Sequence, residues 1–132
     1  MSHAPQIQFL SLFVPNLEKS VEHYRAMLGI EPGAGPAAAP APHPFATKGP
    51  VVFQLGEVSL ALYECDTRTT HAGDVGIGLS IDDPETVHRF RELGGNLFWG
   101  PNSIDAGKRQ LSIGVMPDRH FFEIVGPKPT GE

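Results

Sequence analysis

The chain has 132 residues, 40% hydrophobic and 19% charged, with a formal net charge of −5. That is enough apolar material for a core and a length that fits a single domain. An acidic balance without clustered Lys or Arg argues against nucleic acid or an anionic membrane as the main partner. A lone cysteine, Cys65, excludes an intramolecular disulfide and argues against a cysteine-based zinc site.

No apolar run approaches the roughly 20 residues needed to span a bilayer. The opening Met-Ser-His-Ala-Pro-Gln lacks the charged and apolar regions of a signal peptide. The expectation is a cytoplasmic protein.

In chain order, Ile7 to Val14 is apolar and bounded by Pro5 and Pro15, which predicts a strand. Its faces are Ile7, Phe9, Ser11, Phe13 and Gln8, Leu10, Leu12, Val14. Asn16 is an N-cap residue, and Leu17, Val21, Tyr24 and Leu28 form the buried stripe of a helix ended by Gly29. Residues 31–50 hold Pro32, Pro36, Pro40, Pro42, Pro44 and Pro50, a pattern that excludes a central strand or a regular helix. Composition favours a linker over a lid for this arm. Val51 to Leu55 and Val58 to Glu64 read as a hairpin about Gly56-Glu57. Asp66 to Asp74 is a polar connection.

Val75 to Ile81 is the next strand, with Ile77, Leu79 and Ile81 facing one way and Gly76, Gly78 and Ser80 the other. Asp83 caps a helix whose first residue is Pro84, and Gly94-Gly95 stops it. Asn96 to Trp99 is a short strand and Pro101 to Gly107 a loop. Gln110 to Met116 is a strand with Leu111, Ile113 and Val115 on its apolar, helix-facing side. A turn at Pro117-Asp118-Arg119 leads into Phe121 to Val125, which places Phe121, Glu123 and Val125 on one face.

The order strand, helix, loop, strands occurs twice. Phe9 to Leu17 lines up with Gly76 to Pro84, and both helices end in Leu-Gly, at Leu28-Gly29 and Leu93-Gly94. This predicts an α+β chain of two βαβββ modules, about 7–64 and 75–126, each with one sheet face under its helix. The opposite faces then meet each other or enclose something.

At this point the chain resembles the vicinal oxygen chelate superfamily, which includes glyoxalase I, bleomycin-resistance proteins, extradiol dioxygenases and methylmalonyl-CoA epimerase. The resemblance is carried by Val14-Pro15-Asn16-Leu17-Glu18-Lys19-Ser20, His23-Tyr24, Leu28-Gly29, Ile81-Asp82-Asp83 and Pro117-Asp118-Arg119-His120-Phe121-Phe122-Glu123. It covers residues 7–126 and implies cupped mixed sheets with the helices outside. It also implies a homodimer, since such proteins build each site from two modules within a chain or across two chains.

Many members of that superfamily hold a divalent metal through four side chains. Carried over, those positions fall on Phe9, Ala61, Gly76 and Glu123. Three of the four have no donor atom, and a catalytic zinc or iron needs about three protein ligands. His3, His23, His43, His71, His88 and His120 lie on tails, loops, helices or the closing turn and do not rebuild the site. The expectation is therefore no metal and no cofactor.

The faces turned away from the helices offer Phe9, Ser11, Phe13, Ala61, Tyr63, Gly76, Gly78, Gln110, Ser112, Phe121 and Glu123, with Trp99 nearby. Glycines at strand positions leave space, which favours a pocket over a filled core. Aromatic walls suit a planar ligand. Three functions follow. The first is a metal-independent binding protein that sequesters a flat small molecule. The second is a metal-free isomerase or lyase-like enzyme with Glu123 as general base. The third is a glyoxalase- or dioxygenase-type metalloenzyme with an atypical site using Glu123 and His120.

Overall fold

A computed structural model describes residues 4–33, 39–65 and 75–127. The connection Asp66 to Asp74, His3, His71 and part of the Pro-rich arm lie outside these. The elements are β1 (Gln6–Val14), α1 (Leu17–Leu28), β2 (Ala46–Leu55), β3 (Val58–Cys65), β4 (Val75–Ser80), α2 (Glu85–Glu92), β5 (Asn96–Ile104), β6 (Arg109–Val115) and β7 (Phe121–Pro127). The chain divides into two compact units, one over 8–75 and one over 76–132 that also takes the start of β1. Strands of mixed direction with one helix per unit make this the α+β architecture that the internal repeat implies.

In the first module the strands run in the order β2-β3-β1. β1 pairs parallel with β3, and β2 antiparallel with β3. Helix α1 begins at Asn16, whose side chain accepts the Lys19 N–H at 3.0 Å. It ends at Gly29, whose N–H donates to Arg25 O at 2.9 Å. Its stripe Leu17, Val21, Tyr24 and Leu28 packs on Val14, Leu60, Leu62, Phe53 and Val51. Phe53 and Leu62 are fully buried; each such side chain contributes roughly 1.5–3 kcal/mol of burial free energy.

The second module orders its strands β4-β7-β6-β5, with β4 parallel to β7 and the other pairs antiparallel. Asp83 accepts the Glu85 N–H at 3.0 Å, one residue outside the helix proper. Helix α2 buries Phe90 against Ile81 and Ile124, with Leu79, Val87, Leu97, Met116 and Phe122 around them.

The two ladders superpose in register. Phe53↔Leu60 and Val51↔Leu62 in the first match Gly114↔Phe122 and Ser112↔Ile124 in the second, the register that also matches Ala61 with Glu123. β2 thus corresponds to β6 and β3 to β7. β5 has no counterpart among the described residues of the first module. In chain order residues 29–45 correspond to 93–108 and are nearly equal in number. One bond of an outer strand survives, from Gly33 N–H to Val52 O at 2.9 Å.

Two expectations change. β2 starts at Ala46 rather than Val51, and β5 continues to Ile104 through the predicted loop. Both carry a Gly-Pro pair, Gly49-Pro50 and Gly100-Pro101, at an irregularity in the ladder. Each is outermost in its module, where a missing N–H and a bulge are tolerated. Gly49 (φ 114°) and Gly100 (φ 86°) adopt backbone that other residues avoid. A Cβ at Gly100 would stand 2.3 Å from Leu111 O.

Candidate functional site

On the side of the first module away from α1, the parallel register aligns Phe9 with Ser59, Ser11 with Ala61 and Phe13 with Tyr63. Directly paired residues share a face, so these six form one patch, and none is more than 1% exposed. The Ser11 hydroxyl has no hydrogen-bond partner among the described residues.

The Pro-rich arm lies on this patch. The Tyr63 hydroxyl donates to Pro40 O. The imidazole of His43, 3% exposed, sits 4.7 Å from the Tyr63 ring, 5.1 Å from Phe13 and 5.6 Å from Phe45 between centroids. Its Nδ1 accepts the Phe45 N–H at 3.1 Å. Residues 39–45 of the arm are therefore packed on this patch. Sequence reasoning assigned His43 and Phe45 only to the arm. The one available signal was an aromatic pair within an otherwise Pro- and Ala-rich run.

In the second module Glu123 is fully buried. It pairs with Ile113 on β6 and Gly78 on β4. Gly76 gives it room, because a Cβ there would lie 2.7 Å from Glu123 Oε1 and 2.7 Å from the Phe121 ring. Trp99 is half-buried and pairs with Ile113, which places it on the same face. Phe98 contacts the Phe121 ring at 5.8 Å.

Gln110 and Ser112 do not join Glu123. The register sets Ser112 opposite Ile124 and Gln110 opposite Gly126, on the face under α2. Leu111, Ile113 and Val115 take the Glu123 face instead, the reverse of the sequence expectation. Alternation shows that β6 has two faces, but the partner strand decides which is which.

Gln110 and Ser112 line a cavity of about 390 Å³ between α2 and the strands. Ile81, Val87, Ile124, Pro84, Pro101 and Pro127 supply its apolar walls, and Glu85, His88 and Arg91 its polar rim. Residues on α2 were read from sequence only as a helix face.

A divalent metal does not fit the donors present. Phe9 and Ala61 offer the first module no ligand atom, and Gly76 leaves Glu123 as the one donor of the second. Among the described residues no group of three or more His, Cys, Asp or Glu could hold a metal ion. His120 is exposed at the closing turn, with Nδ1 3.1 Å from Asp118 Oδ1. That turn also donates the His120 N–H to Asp118 at 3.2 Å, which with the His120 side chain holds the Asp118 carboxyl below its ordinary pKa.

No family model and no curated protein matches the chain. Solved structures do. A Streptomyces coelicolor methylmalonyl-CoA epimerase variant in complex with 2-nitronate-propionyl-CoA is 17% identical with a TM-score of 0.64, over 94% of this chain and 98% of that one. The methylmalonyl-CoA epimerase from Mycobacterium tuberculosis is 14% identical with a TM-score of 0.62, over 92% and 87%. The NAD-dependent benzaldehyde dehydrogenase from Legionella pneumophila is 20% identical with a TM-score of 0.59, over 91% and 98%. At such identities the likeness establishes the fold alone, the α+β fold that this chain shares with those structures. Among the described residues no helix is long and apolar enough to cross a membrane.

Proposed function

We propose that this chain, built on the vicinal oxygen chelate fold, is a metal-independent binding protein that sequesters a small planar ligand. One observation carries the reading. The planar ring of His43 is held among Phe13, Tyr63 and Phe45. The chain thus supplies its own occupant for an aromatic cage, and a flat ligand with a hydrogen-bond acceptor has the chemistry to replace it. The absence of donor atoms at Phe9, Ala61 and Gly76 supports binding without a metal. Calorimetry against a panel of planar antibiotics and aromatic metabolites tests this. Some member binds the native chain, and His43→Ala binds it more tightly, because the internal competitor is gone. A panel that binds neither protein sinks the reading.

A second reading rests on Glu123, a buried carboxylate beside Phe121 and the bare Gly76 position. In a metal-free isomerase it would take and return a proton. The likeness to methylmalonyl-CoA epimerases makes methylmalonyl-CoA the first substrate to try. Deuterium uptake from solvent at its acidic carbon, lost in Glu123→Gln, is the expected result; equal uptake by that variant removes Glu123 from the role.

A further inference from the structure

We infer that the cavity under α2 is a second ligand site, for a small apolar carboxylic acid, with Arg91 as the group that takes the carboxylate.

The internal repeat supplies the control. At matched ladder positions the first module turns Val51 and Phe53 toward its helix, and the second turns Ser112 and Gly114. On the neighbouring strand Leu60 and Leu62 become Phe122 and Ile124, and beyond them Gln110 stands opposite Gly126. In the first module this layer is filled by apolar side chains. In the second, Phe90, Ile124, Phe122 and Met116 fill part of it, and beside Gln110, Ser112 and Gly126 a space of about 390 Å³ is left, within the range of small-molecule sites at roughly 300–1,000 Å³. A packing defect between an amphipathic helix and a sheet is expected to be apolar and dry. This one has an amide and a hydroxyl in its floor, and Ser112 is 1% exposed. Polar groups placed under a helix are costly unless something meets them.

The rim fixes the charge of the ligand. His88 is engaged with Glu92 at 2.9 Å, and Arg89 with Asp83 at 3.2 Å. Arg91 lines the cavity, and its side chain makes no ion pair among the described residues. A guanidinium presents a planar fork that matches a carboxylate. Glu85 also lines the cavity, but six residues earlier on the helix, about 9 Å away along its axis at ~1.5 Å per residue. A short acid can therefore reach Arg91 and lay its apolar body against Val87, Ile81 and Ile124 without meeting that second carboxylate.

Amide NMR titration of the full chain with sodium benzoate, benzamide and benzylamine tests this. Benzoate shifts the amides of Val87, Gln110, Ser112 and Gly126 to saturation, and benzamide binds at least tenfold more weakly. Arg91→Gln, on an exposed position, weakens benzoate by about tenfold or more, the usual loss for a charge-assisted pair. Ser112→Leu restores apolar bulk like that of the first module and abolishes the shifts. Equal binding of benzamide or benzylamine, an unaltered Arg91→Gln, or no shifts at these amides overturns the proposal. Shifts confined to residues around His43 overturn it too while leaving the proposed function standing, so the two readings fail separately.

Discussion

The two modules share a ladder register but use the space beneath their helices differently. Helix α1 has twelve residues and lies on Phe53, Leu60 and Leu62; α2 has eight and lies over Ser112, Ile124 and Gly126. The first is a filled core; the second has a core around Phe90 and, beside it, a recess at Ser112 and Gly126. Duplicated backbone therefore does not imply duplicated packing: where the first copy places Val51 and Phe53, the second places Ser112 and Gly114. The arm sharpens the contrast. Where the second module adds β5, the first folds Pro40 and His43 across its other face.

The comparison breaks most visibly at one residue under each helix. Phe53→Ala removes a fully buried ring and is expected to cost about 3–5 kcal/mol. Ser112→Ala, on the corresponding strand of the second module, is expected to cost less than about 1 kcal/mol, since it empties little volume. Denaturant unfolding of both variants checks this, and equal losses would mean that the recess is as well packed as the core.

Next come the Gly-Pro irregularities in β2 and β5. Gly100→Ala forces a Cβ toward Leu111 O at a positive φ, and about 1–3 kcal/mol of stability should go. Gly49→Ala meets Leu62 O at 2.8 Å with φ 114°, so it should lose a comparable amount. Thermal melts showing either variant unchanged would refute the strain.

The helix starts give smaller effects. Asn16→Ala deletes the bond to Lys19 N–H and should cost about 1 kcal/mol. Asp83 is held below its ordinary pKa first by the Glu85 N–H, with Arg89 also favouring the charged form. A folded pKa below the unfolded value means that its contribution is present above about pH 4. It is lost as pH falls through the folded pKa. Asp83→Asn should therefore flatten the acid limb of a stability-against-pH curve and leave the neutral-to-basic side unchanged in shape. The same acid limb in wild type and variant would remove the assignment.

Much of this was legible beforehand because it depends on neighbours in sequence. Asn16 and Gly29 mark both ends of α1 by local backbone bonds. The alternation in β1 and β3 placed Phe9, Phe13, Ala61 and Tyr63 on one face, and the register keeps them there. The stripe Leu17, Val21, Tyr24, Leu28 found its strands. Proline misled twice, at Pro50 and Pro101, because its penalty vanishes on an outermost strand and position within a sheet is not written locally. His43 was unreadable for a related reason: nothing near it in sequence specifies that residues twenty positions on, at Tyr63, will form its pocket.

The amino-acid order by itself determined that there are two repeated units, where their helices start and stop, and that Phe9, Ala61 and Gly76 carry no metal-donor side chain. Those are matters of side-chain chemistry and short-range hydrogen bonding. Only the tertiary structure decided which side of β6 faces α2, and hence that Ser112 and Gln110 line a recess while Ile113 stands beside Glu123. A strand carries two faces of equal standing until a neighbour pairs with it, and one residue of register exchanges them.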